Sequence, residues 1–177
     1  MNNEYVNPAE KELQRAMLLL GNGRAEEAKA IVESVLIARP ESALAHRSKA
    51  MLQVHGEDFN GAEESLLRAI QNLPAPNHSY YCELGEVLIQ LGRTQEAIDR
   101  LTTAIDLMNS CGDTWELSTA SLARAFAYFK LGEVEDAVKD LHVVGDGVLF
   151  YGGEIWNKSK ILKEISMLQS RSRSRKR

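Results

Sequence analysis

The chain has 177 residues, 44% of them hydrophobic and 26% charged, with a net charge of −4. That apolar content excludes a disordered chain, no run of 18 uncharged apolar residues could span a bilayer, and two cysteines, Cys82 and Cys111, make no disulfide framework. Five of the 21 basic residues lie in Arg171–Arg177, leaving an acidic body unlike a dedicated nucleic-acid-binding domain.

From the start, Met1 to Pro8 carries no Lys or Arg and runs into Glu10, Lys11 and Glu12. Without a basic start or an apolar run it does not read as a signal peptide, so cytoplasmic residence is the expectation. A small residue then recurs with a second one twelve positions on: Ala16 and Ala28, Ala50 and Ala62, Gly85 and Ala97, Ala125 and Ala137. The pairs repeat at intervals of 34, 35 and 40 residues, the signature of a helical-repeat architecture. Between the members of each pair stand Asn22-Gly23, Gly56, Leu91-Gly92 and Leu131-Gly132, residues suited to a tight turn between helices. Small side chains at both positions let two helix backbones approach, where a bulky one would push them apart.

Seven residues past each second small residue come Val35, Ala69, Ala104 and Val144, small enough to admit the next pair. Pro40 and Pro74 then stop the second helices of the first two units, with Asn109 and Leu149 in that place later. Tyr81, Leu84, Gly85 and Leu88, and then Ala97, Ile98, Leu101, Ala104 and Ile105, follow helical spacing. Acidic Glu27, Glu96 and Asp136 fall in the first turns of second helices, where they complement the helix dipole. For that reason Glu26-Glu27, Glu63-Glu64 and Glu135-Asp136 read as helix starts and not as catalytic pairs.

The predicted organisation is four units at about 8–41, 42–75, 77–110 and 117–150, with an insert from Ser110 to Ser118. Gly145-Asp146-Gly147 and Gly152-Gly153 mark a loop, and Ile155, Ile161, Leu162, Ile165 and Leu168 predict a capping helix at about 154–169. Residues 170–177 are expected to be a basic, disordered tail.

These spacings resemble the tetratricopeptide repeat family. Unit three carries its pattern as Tyr81, Leu84-Gly85, Leu88, Ala97 and Leu101; unit four keeps Ala125, Tyr128, Ala137 and Leu141. Unit two keeps Ala50, Ala62, Leu66 and Pro74; unit one keeps Ala16, Leu19, Ala28, Val32 and Pro40. Departures fall at Glu12, Arg15, His46, Lys49, Ser121, Arg124 and Leu149. The resemblance implies an all-α, right-handed superhelix of helical hairpins that holds other polypeptides, with no catalysis, metal or cofactor.

In such a stack the first helix of each unit lines the concave face. Turning about 100° from the packing stripe gives Leu13, Met17 and Leu20, then Arg47, Met51, Val54 and His55. It continues with Cys82, Glu86, Ile89 and Gln90, then Leu122, Phe126, Phe129 and Lys130. A groove apolar at both ends favours a peptide or amphipathic helix as ligand; the alternative is that flanking segments or a second copy of the chain cover it. Family members that grip acidic chaperone tails use Lys, Asn and Arg here, and Glu83 and Glu86 oppose such a ligand.

The four histidines, His46, His55, His78 and His142, make no ligand spacing and read as surface or groove residues. A narrower reading is a chaperone for secreted or assembly subunits. Nucleic acid is expected only through Arg171–Arg177, by phosphate contacts.

Overall fold

The computed structural model describes residues 7–112 and 116–174. It is all-α but for one two-stranded hairpin, and its contacts divide the chain into two compact units, residues 1–76 and 77–177.

The first unit holds α1 (Pro8–Gly21), α2 (Ala25–Ala38), α3 (Ala43–His55) and α4 (Phe59–Gln71), packed as the pairs α1–α2 and α3–α4. Asn7, Ser42 and Asp58 cap α1, α3 and α4 by accepting from Ala9, Ala45 and Gly61 backbone N–H groups. The second unit holds α5 (His78–Gln90), α6 (Thr94–Cys111), α7 (Leu117–Leu131) and α8 (Val134–Leu141), paired likewise. Strands β1 (Phe150–Tyr151) and β2 (Ile155–Trp156) and then α9 (Lys158–Ser174) complete it.

All eight crossing residues are buried: Ala16, Ala28, Ala62, Ala97, Ala125 and Ala137 at 0% exposure, Ala50 at 1%, and Gly85 buried as well. A Cβ on Gly85 would lie 2.6 Å from Leu101 Cγ, so no larger residue fits this crossing unless Leu101 moves. Val35, Ala69, Ala104 and Val144 are buried too, as the spacing predicts.

The turn between paired helices needs one left-handed residue, and it falls seven positions past the first small residue. Gly23, Gly92 and Gly132 take φ of +75°, +73° and +82° there. In the second pair the residue is not the punctuating Gly56 but Glu57, at φ 59°.

Three expectations are corrected. Residues 154–156 are not the start of the last helix: Gly152 and Gly153 turn a hairpin in which Phe150 pairs with Trp156 and Tyr151 with Ile155, and α9 starts at Lys158. Aromatic and β-branched residues on either side of Gly-Gly favour strands over a helix start. At its other end the helical backbone continues to Ser174, five residues beyond 169, because arginine is a good helix former; residues 175–177 of the expected tail lie outside the described residues. Cys111 is the last residue of α6, which Gly112 ends in the left-handed conformation; both ends of the expected insert, residues 110–111 and 117–118, are therefore helix, and residues 113–115 are not described.

Candidate interaction surface

In the first unit the predicted stripe is partly core. Leu13 is 2% exposed and packs with Ala16, Leu19, Val32 and Ala45, so it is not a groove residue. Met17 and Leu20 lie half-buried against the same cluster. On the neighbouring α3, Met51 and Val54 are each 40% exposed, His55 is exposed and Arg47 is half-buried. Apolar surface that water reaches is therefore present on α3, at Met51 and Val54.

His46 corrects an expectation. It is buried, and its Nε2 donates to the Pro40 carbonyl at 2.7 Å, closing the turn before α3. A second polar link crosses the α3–α4 pair: Ser65 Oγ donates to Gln53 Oε1 at 2.6 Å, and Gln53 Nε2 donates to the capping Asp58 at 3.1 Å.

In the second unit the stripe is covered. Leu122 is fully buried and Phe126 is 3% exposed, while Ile89 and Phe129 are half-buried against the same core. What covers Phe126 and Phe129 is the β1–β2 hairpin. The Phe126 ring centroid lies 5.4 Å from that of Phe150 and 5.0 Å from that of Trp156, and Phe129 lies 5.7 Å from Trp156. From α5, Gln90 Nε2 donates to the Tyr151 carbonyl at 2.6 Å. Gly152 is required for this seating, since a Cβ there would come within 2.7 Å of the Phe126 ring. Of the two occupants weighed from sequence, a flanking segment and a second copy, the flanking segment is the one present.

Phe150, Gly152 and Trp156 were not singled out from the sequence as surface residues. The signal was there, in Phe-Tyr and Ile-Trp on either side of Gly-Gly. The apolar run that continues into α9 masked it.

Glu86, on the same stripe, is half-buried. Loss of water, reinforced by the charges of Glu83 and Glu116, pushes its carboxyl up to about 7. Burial, with Glu116, Glu86 and Glu83 nearby, raises the Cys82 thiol to about 12, so it stays protonated and unreactive. Glu116 accepts from Ser79 Oγ at 2.9 Å and lies 3.2 Å from His78 Nδ1. Among the described residues no three His, Cys, Asp or Glu side chains converge as a metal would require, and no helix is long and apolar enough to cross a membrane.

Arg124, a departure from the repeat pattern, is accounted for by Asp140. Arg124 Nε and Nη2 donate to the two Asp140 oxygens at 2.8 and 2.7 Å, and Nη1 donates to Thr102 at 2.9 Å, tying α7 to α8 and α6. The guanidinium also lies 5.9 Å from the Tyr128 ring centroid.

Paired antiparallel helices with small residues at each crossing, repeated four times among the described residues, define an all-α helical-repeat protein. Tetratricopeptide repeat models match residues 13–77 and 78–109, together more than half the sequence, and the chain belongs to the tetratricopeptide repeat family. No curated protein matches it in sequence. Solved structures do resemble it. YrrB, described as a TPR protein with an unusual peptide-binding site, superposes with a TM-score of 0.63 at 21% identity over 76% of this chain and 66% of its own. MamA gives 0.63 at 21% over 76% and 74%. PilW, a type IV pilus biogenesis factor, gives 0.69 at 21% over 77% and 61%. The chain thus spans less than two thirds of YrrB and PilW.

Proposed function

We propose that this protein is a non-enzymatic interaction module, an adaptor or scaffold that takes an apolar peptide or amphipathic helix of a partner on the first helices of its pairs. The observation that carries this reading is on α3, where Met51 and Val54 each keep 40% of their surface in water. Large apolar side chains left in water favour a partner, and methionine adapts to irregular ones. The peptide-binding site named for YrrB supports the same use of this fold.

The test is affinity purification with wild type, with Met51→Glu plus Val54→Glu, and with Ile37→Glu. Ile37 is 83% exposed on α2, a second helix, and serves as the control. Loss of a partner with the double variant alone supports the α3 surface. The same partner list from all three proteins removes it. A second reading, an assembly or secretion chaperone, draws on the likeness to a pilus biogenesis factor. It would show as a partner that aggregates when that surface is mutated.

A further inference from the structure

We propose that the β1–β2 hairpin is a resident, displaceable occupant of the α5–α7 face, and that the face takes a partner segment of the same chemistry: a short hairpin with two aromatic side chains on its inward side. The proposal rests on reading the first helices as the recognition surface, and it names what the second unit recognises.

The hairpin meets the face as a ligand would. Both its inward residues, Phe150 and Trp156, contact Phe126, and a main-chain carbonyl, that of Tyr151, receives Gln90. Peptides added to a receptor combine main-chain hydrogen bonds with side chains from one face in just this way. The outward pair, Tyr151 and Ile155, stays 59% and 61% exposed, so the hairpin has one bound side and one wet side.

Its seating is also imperfect. Trp156 Nε1 is buried with no hydrogen-bond partner among the described residues. A buried donor left without its hydrogen bond is destabilising, which weakens the hairpin's hold on the face. The strands are two residues long, too short to be stable without the face beneath them. No heavy atom lies within 4 Å of where a Cβ would stand on Gly145 or Gly147, the glycines that precede the hairpin. A tethered segment competes at an effective concentration of about millimolar, so a partner must out-compete it and weak binders are rejected.

The test uses the full chain and, as probe, a fluorescent peptide of its own residues 148–157. In Gly152→Val a Cβ meets the Phe126 ring and pushes the hairpin off it, while no helix residue is itself changed. Peptide anisotropy is expected to show at least about tenfold tighter binding to Gly152→Val than to wild type. Adding Phe126→Ala to that variant is expected to abolish the gain. Equal affinity for wild type and Gly152→Val, or no binding to either, overturns the proposal.

Should Gly152→Val fail to fold, hydrogen exchange on wild type and Gln90→Ala decides. Residues 148–157 are expected to exchange faster than residues 117–131, and faster still in Gln90→Ala. Exchange of both segments together, only on global unfolding, makes the hairpin a fixed part of the core and overturns the proposal. The Met51 and Val54 experiment concerns the other unit, so a failed peptide test beside a successful partner loss there refutes the displaceable hairpin alone.

Discussion

Glu57 is the residue where the repeat is least at ease. Its equivalents Gly23, Gly92 and Gly132 occupy the left-handed region without a Cβ, whereas Glu57 pays for φ 59° with a clash against the backbone. Glycine relieves that clash but has more freedom to lose on folding. On balance Glu57→Gly is expected to stabilise the chain by about 0.5–1 kcal/mol, read as a rise of the urea midpoint. Gly92→Ala, which forces a Cβ into the same conformation, is expected to lower it. The pattern of small residues and turns announced three of the four left-handed turn residues. It pointed to Gly56 in place of Glu57 because a glycine one position early satisfies a turn signal equally well.

Among elements, α7 and α8 show best how far the sequence carries. The Ala125–Ala137 crossing was legible because close packing allows few residue types. The Arg124–Asp140 link was not, because a bidentate pair between positions 16 residues apart leaves no periodic trace. With side chains only 16% and 10% exposed, these two groups have given up most of their water. Removing one partner strands the other, so Arg124→Ala or Asp140→Ala is expected to cost about 2–4 kcal/mol. In the double variant Arg124→Ala plus Asp140→Ala the loss is expected to be smaller than the sum of the single changes. Urea unfolding of the four proteins of the cycle measures the coupling, and strict additivity would deny it. The hairpin was hidden for another reason: two-residue strands have no period to read, and Ile155 fits the apolar spacing of α9 as well as it fits β2.

For the molecule as a whole, stability depends on pH through Glu86. Its folded-state value of about 7 lies above the ordinary 4.5, so the native chain holds a proton that the unfolded chain has released. Stability therefore falls as pH rises from about 4.5 to 7 and is flat above, by at most roughly 3 kcal/mol. Glu86→Gln is expected to remove this slope, matching wild type below pH 4.5 and exceeding it at pH 8. Urea midpoints across that range check it, and parallel curves for the two proteins would refute it. The first helices thus divide into two kinds of surface. Of the first-helix residues marked by a 100° turn off the packing stripe, Met51, Val54 and His55 are exposed, Leu13 and Leu122 are core, and Phe126 and Phe129 lie under the hairpin.

That hairpin has one more consequence. A two-stranded sheet leaves both flanks open to further strands, the usual route to self-association. Here the carbonyls of Tyr151 and Ile155 are both taken by side chains, the first by Gln90 at 2.6 Å and the second by Lys160 at 3.1 Å. The Lys160 ammonium also stands 4.3 Å from the centre of the Trp156 ring and 2.9 Å from Glu154. Gln90 and Lys160 thus each occupy a carbonyl that an added strand would need, one on either edge of the aromatic ribbon.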